Sequence, residues 1–336
     1  MTAGANEAYD EFGLFHENAV EVGLPYEKPP VVKRCSFPVG EGRHLSGLVW
    51  GETPPEFVFL HGGGQNAHTW DTLALALDRP LLALDLPGHG HSDWKDDGNY
   101  RPNVLEADVA VAIAAAAPTA KAVVGMSLGG MTAISLAVSH PELVRKLVVI
   151  DISPGVNPEK AKSVINFLRG PETFASFDEI LDRTVQFNPQ RSVSSLRRGI
   201  LHNAYALPDG TWTWRYDRRR PETSPQQAKT QEIPPNPASP PDSPSLEDMI
   251  TWDDIAATCM PFLFVKGGAS PMVDEDDLAA LHKSRPDLQI RTIEGAGHSV
   301  QGDRPRELAG LIAAFSDSTT RMHPATSQET DKKLSR

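Results

Sequence analysis

The stretch that decides the fold is Ala122-Val123-Val124-Gly125-Met126-Ser127-Leu128-Gly129-Gly130, followed by a helical pattern that runs to about Ser139. AVV is an apolar run of strand type, so Gly125-Met126-Ser127-Leu128-Gly129 stands between a strand and a helix. A GxSxG pattern alone occurs by chance in many chains, whereas one flanked in this way is a nucleophile elbow. The turn is sharp enough to hold Ser127 strained, so the positions two before and two after it need glycine. Met126, just before the serine, is placed to face a pocket. A tight turn with an incidental serine is the bland reading, and only further motifs can displace it.

Outward from the elbow, short apolar runs alternate with longer helical patterns. Strands are expected at Val31–Val39, His44–Trp50, Glu56–Leu60, Leu81–Leu84, Ala122–Gly125, Lys146–Ile150, Phe262–Val265 and Gln289–Ile293. The central runs FVFL, LLAL, AVV, LVVI and FLFV show no polar alternation, as strands covered on both faces should not. Helices are expected at His68–Leu77, Val104–Ala117, Leu128–Ser139, Glu275–Lys283 and Arg304–Phe315. Strand–helix alternation of this kind implies an α/β fold with a mostly parallel sheet, its first two strands an antiparallel hairpin, and a site at the strand C-termini. The alternation stops between Gly155 and Asp217, where three amphipathic helical patterns (the last reading SVSSLRRGILHNAYAL) precede the aromatic turn or hairpin DGTWTWRYD.

Two more motifs carry chemistry. His61-Gly62-Gly63-Gly64-Gln65 follows the strand FVFL, and side-chain-free residues there let backbone amides approach a developing oxyanion; Gly63 supplies one donor and Leu128 the other. A phosphate-binding loop is excluded because no GK[ST] follows. Gly295-Ala296-Gly297-His298 lies after the strand QIRTI, where a general base is expected. His89 and His91 in PGHGHSD suggest a metal only superficially, since no further ligand pair stands at metal spacing, and no metal is expected.

In the order HGGG, DLPGHGHSD, GMSLGG, DISPG and GAGH, residues from about Cys35 to Phe315 resemble the α/β-hydrolase family. The resemblance implies an eight-stranded, mostly parallel sheet, a helical cap after the sixth strand, a serine nucleophile and no cofactor. It leaves the acid open. The family's usual position after the seventh strand reads Gly267-Gly268-Ala269-Ser270, with Asp274 and Asp276 further on; Asp151, at the end of LVVI, is a position some branches use. Asp151 is the first choice and Asp274 the alternative, although Asp274 also reads as the N-cap of EDDLAAL. Catalysis is expected from Ser127, His298 and Asp151, with Gly62, Gly64, Met126 and Trp214 as substrate contacts. Phe167, Phe174, Phe177 and Trp212 read either as pocket wall or as packing within the cap, the latter preferred for any one of them.

Composition bounds the rest. With 44 acidic against 32 basic residues and a net charge of −12, the chain lacks the basic face that nucleic acid or an anionic membrane requires. The longest apolar run, Val109 to Ala117, is about half of a membrane span. Cys35 and Cys259 make no disulfide framework or zinc spacing, and the acidic N-terminus does not read as a signal peptide, so a soluble cytoplasmic protein is expected. Eight of the 29 prolines fall between Pro221 and Pro244, where too little apolar area exists to offset ordering. The expected division is an N-terminal extension (1–34), a hydrolase core (35–154 and 250–316), a cap (155–217), a flexible Pro-rich insertion (218–249) and a disordered tail (317–336). The expected activity is hydrolysis of an ester, thioester or lactone of a small to medium apolar molecule. Carbon–carbon bond hydrolysis, acyl transfer, and a non-catalytic ligand receptor with a decayed triad are the alternatives.

Overall fold

The computed structural model describes residues 9–219 and 249–318. Except for their edges, the Pro-rich insertion and the tail lie outside that range. In chain order the elements are α1 (Phe15–Glu21), β1 (Val32–Gly40), β2 (Arg43–Trp50), β3 (Phe57–Leu60), α2 (Asp71–Leu77), β4 (Leu81–Leu84), α3 (Pro102–Ala116), β5 (Ala122–Met126), α4 (Leu128–Ser139) and β6 (Leu147–Ile150). An inserted block follows: α5 (Lys162–Leu168), β7 (Thr173–Phe174), α6 (Phe177–Phe187), α7 (Val193–Asn203), β8 (Ala204–Ala206) and β9 (Trp212–Trp214). The core resumes with α8 (Trp252–Ala257), β10 (Phe262–Gly267), α9 (Glu275–Ser284), β11 (Gln289–Ile293), α10 (Val300–Asp303) and α11 (Pro305–Asp317).

Eight strands form one sheet in the order β1-β2-β4-β3-β5-β6-β10-β11. β1 pairs antiparallel with β2, and β2 antiparallel with β4; all other pairs are parallel. The β1–β2 hairpin turns at Glu41-Gly42, both at positive φ (54° and 71°), the backbone a two-residue hairpin loop requires. The expected eight strands and their hairpin are therefore present.

Period-two alternation divides the apolar runs between two cores. Phe57 and Phe59 of β3, with Leu81 and Ala83 of β4, pack against α2 and α11, while Val58, Leu60, Leu82 and Leu84 turn to the face covered by α3 and α4. Helices on both faces explain why these strands carry no polar residue.

Three helices escape the periodic reading: α1, α8 and the single-turn α10. α1 has only seven residues and no side-chain cap, too short to display a repeat, yet its Phe15 is 1% exposed and its ring stands 4.8 Å from that of Trp50. α8 is shorter still, but the capping box of Thr251 and Asp254 was a usable signal. In the inserted block, the third expected helix stops at Asn203. The residues Ala204–Ala206 leave it as β8 and pair with β9, and β7 completes a small antiparallel sheet in the order β7-β9-β8. Phe174, Ile180, Ile200, Trp214 and Tyr216 form that block's own core.

Candidate active site

β5 ends one residue before Ser127, whose backbone sits at φ 51°, ψ −119°, a region side-chain-bearing residues rarely occupy. The strain is held from both sides: Ser127 N–H donates to the carbonyl of Ile150, and its carbonyl accepts from Met131. A Cβ on Gly125 would lie 2.2 Å from the carbonyl oxygen of Gly129, and one on Gly129 would lie 2.2 Å from that of Leu60. Both obstacles are backbone and cannot swing aside. The elbow's two glycines are thus required by contact, as the motif predicts.

The glycine loop abuts the same turn. A Cβ on Gly62 would meet Met126 Sδ at 2.6 Å and Ser127 Cβ at 3.3 Å, and Gly64 has φ +70°. Two buried imidazoles pin the loop. His61 donates Nδ1–H to the Gly62 carbonyl (2.8 Å) and accepts the Leu86 amide on Nε2 (2.9 Å). His89 donates to the Pro87 carbonyl (3.0 Å) and accepts from Gly64 N–H (3.1 Å). Each ring must be neutral to play both parts. Burial, reinforced by His89, pushes His61 down to about 3, and burial likewise lowers His89. At the opposite side of the elbow, Leu128 N–H belongs to the first turn of α4, where amides have no acceptor within their own helix.

Asp151 follows β6 at φ 53° and is fully buried. Its Oδ1 accepts from Gly267 N–H (2.9 Å), and its Oδ2 accepts from His298 Nδ1 (2.9 Å) and from the hydroxyl of Ser270. A carboxylate only accepts, so Nδ1 of His298 carries the proton and Nε2 is left as acceptor. That Nε2 is buried without a hydrogen-bond partner among the described residues, and both His298 and Ser127 line one cavity of about 230 Å³. The alternative acid, Asp274, is placed elsewhere. It caps α9 in a reciprocal box with Asp277, pairs with Lys160 at 2.9 Å, and its side chain is half exposed.

The cavity lies between the strand ends and the inserted block. Gly62, Gly63, Gly64, Met126 and Trp214, all singled out in the sequence, line it, as does Phe167. Phe174, Phe177 and Trp212 belong instead to the packing of the inserted block. Its polar wall escaped the sequence reading: Asn18 of α1, Arg191 before α7, Arg198 and His202 of α7, and Gln301 of α10. These residues come from segments far apart in the chain.

An α/β-hydrolase family model matches residues 57–311, most of the chain. The chain belongs to the alpha/beta hydrolase family. Among the relatives of this hydrolase is an esterase of Mycobacterium tuberculosis, Rv0045c, 40% identical over 316 residues that cover 92% of this chain and 96% of that protein. A solved structure of that esterase, described with its transition metal inhibition, matches with a TM-score of 0.76 and 38% identity over 93% of this chain and 100% of that one. More distant is the mouse (Mus musculus) sn-1-specific diacylglycerol lipase ABHD11, 25% identical over 78% of this chain and 81% of its own. The inserted block borders the cavity at the strand ends through Phe167, Leu168, Arg198, His202 and Trp214. No described helix is long and apolar enough to cross a membrane.

Proposed function

We propose that this hydrolase cleaves carboxylic esters of small to medium apolar acyl groups through an acyl-enzyme on Ser127. The observation that carries the proposal is the orientation of His298: Nδ1 is committed to Asp151, and the unpartnered Nε2 belongs to the cavity that holds Ser127. In this reading Nε2 takes the Ser127 proton as Oγ attacks the ester carbonyl, and Asp151 stabilises the imidazolium that forms. The Gly63 and Leu128 amides receive the oxyanion, and their preorganisation by His61, His89 and α4 means that no reorganisation is required as charge develops. His298 then returns the proton to the departing alkoxide, giving the alcohol. Water, deprotonated by the same nitrogen, attacks the acyl-enzyme and releases the acid.

The substrate is a small molecule, with Phe167, Leu168 and Trp214 as the apolar side of its pocket. A receptor with a decayed triad is disfavoured, because Ser270, the residue found where an acid was expected, is bound to Asp151. The esterase named among the relatives supports ester chemistry here, and its transition metal inhibition is extended to this chain as part of the same proposal. Two free thiols, Cys35 and Cys259, fit a reducing, cytoplasmic setting.

The test is a p-nitrophenyl ester series of increasing chain length together with a fluorophosphonate probe. Wild type should turn over the shorter esters and take one label, and Ser127→Ala should do neither. A Ser127→Ala protein that keeps full esterase activity would overturn the proposal.

A further inference from the structure

Outside the catalytic residues, one group of buried side chains among the described residues has metal-binding chemistry. His68, just before α2, Asp71, the first residue of α2, and His202 of cap helix α7 are all buried, and one ligand atom from each lies within 4.8 Å of the others. His68 Nδ1 stands 2.9 Å from Asp71 Oδ2, and His202 Nε2 stands 3.7 Å from the same oxygen. Tetrahedral zinc holds its donors at about 2.0–2.1 Å and therefore about 3.3 Å from one another, so these separations bracket what is needed.

We infer that His68, Asp71 and His202 form a binding site for a transition-metal ion of the zinc class, which fastens the cap to the core. Two unsatisfied atoms point to a missing ligand: Asp71 Oδ1 and His202 Nε2 are buried with no hydrogen-bond partner among the described residues, in side chains 2% and 3% exposed. The outer nitrogens are already engaged. His68 Nε2 lies 3.1 Å from Glu11 Oε1, and His202 Nδ1 lies 2.6 Å from the Tyr9 hydroxyl. A carboxylate or hydroxyl behind each imidazole is the arrangement that orients metal-bound histidines.

Charge is accounted for as well. Asp71 and Glu11 offset the ion's two positive charges, and the neighbouring Arg34 is itself paired with Asp85 and Glu11. The ion displaces the proton shared by His68 Nδ1 and Asp71, which leaves to solvent. The rings of His68 and His202 stack at 3.8 Å and 9°. Binding therefore turns the His202 ring out of the stack, with the Tyr9 hydrogen bond as pivot. Two nitrogens and a carboxylate select zinc, nickel or copper over magnesium or calcium. All three side chains also line the catalytic cavity, so an ion there sits in its wall and ties α7 to α2 across it. A cap fixed in this way slows substrate exchange.

The inference rests on the proposed function only for its rate readout; metal uptake is read directly. The experiment titrates chelator-treated full-length protein with Zn²⁺ by calorimetry, in parallel with thermal melts and the p-nitrophenyl ester assay. Wild type should bind one zinc, melt at higher temperature with it and lose at least tenfold in rate, whereas Mg²⁺ should do none of this. His202→Gln and Asp71→Asn, each checked for folding by circular dichroism, should lose this zinc equivalent, the melting shift and the inhibition relative to their own metal-free rates. Zinc uptake of wild-type stoichiometry and affinity in both folded variants, or none in wild type, overturns the site. Uptake by wild type with undiminished turnover overturns the clamp. An absence of esterase activity before any zinc is added counts against the proposed function and leaves the calorimetric result to stand by itself.

Discussion

Ser270 donates its hydroxyl to Oδ2 of Asp151, the oxygen that also receives His298 Nδ1. Ser270 thereby shares the orientation of the carboxylate with the Gly267 amide on Oδ1, and its own oxygen is held by the Met272 amide at 3.2 Å. The position after β10 where an acid was expected instead orients Asp151, the carboxylate on which the proposed mechanism draws. Replacing Ser270 with Ala removes one hydrogen bond to a charged group, so kcat should fall by about tenfold with KM little changed. Steady-state kinetics on the best p-nitrophenyl ester checks this; a loss as large as that of Asp151→Asn would mean that Ser270 does more than orient.

Asp151→Asn keeps the shape of the side chain but lets its amide reverse the tautomer of His298, and a loss on the order of 10⁴ in kcat is expected. Asp274→Asn should leave kcat within about twofold, because Asp274 caps α9 and pairs with Lys160. Measuring the two variants side by side distinguishes the two candidate acids: a collapse of activity in Asp274→Asn, with Asp151→Asn active, reverses the assignment.

Two glycines of the site should respond differently to alanine. At Gly129 the new methyl would lie 2.2 Å from the Leu60 carbonyl, so the elbow must move away from β3, and a loss of several kcal/mol or failure to fold is expected. At Gly63 the nearest obstacle is Leu168 at 3.9 Å, so Gly63→Ala should fold normally, within about 1 kcal/mol of wild type. Urea denaturation followed by fluorescence gives both values.

Acid should weaken the fold through the histidine that holds the glycine loop. His61, pushed down to about 3 by burial and by His89, binds its proton less readily in the folded chain than in the unfolded one. Between pH 6.5 and 3 the unfolded state therefore carries the extra proton, and stability rises with pH. The contribution is complete above pH 6.5 and is lost as pH falls below it. His61→Gln, which cannot titrate, should show a shallower decline than wild type between pH 7 and 4.5 in urea melts; identical slopes would show that His61 does not report on this equilibrium.

What the sequence disclosed depended on the range of the interaction. Phe57 and Val58 could be assigned to a doubly covered strand because adjacent residues pointing to opposite faces were both apolar. Gly125, Ser127 and Gly129 were legible because the elbow's steric demand falls within five consecutive residues. Asp151 could be nominated but not preferred decisively, since its partners Gly267, Ser270 and His298 lie on later strands and loops. Asn18, Arg198 and His202 were not legible at all. Their meeting depends on how α1 and the inserted block dock on one sheet, which no local pattern encodes.

That docking supplies the final prediction. Arg198 of α7 is 3% exposed and donates Nε–H to Asn18 Oδ1 of α1 at 2.5 Å, while its Nη2 pairs with the Glu21 carboxylate. One guanidinium thus links α7 of the inserted block to the N-terminal helix, and Asn18 and Arg198 both line the cavity. Arg198→Met keeps much of the side chain's length and packing but removes the Nε donor from Asn18 and leaves Glu21 with the Ser192 hydroxyl in place of a cation. Glu21 is partly open to water, so its desolvation cost is incomplete, and a loss of about 1–3 kcal/mol is expected. Because the loosened element is a cavity wall rather than the triad, KM should rise severalfold while kcat changes little. Adding Glu21→Gln to Arg198→Met should recover part of the stability by removing the unpaired charge, and a double-mutant cycle in urea measures that coupling. If the two substitutions prove additive, the Arg198–Glu21 ion pair contributes nothing to holding the inserted block against α1.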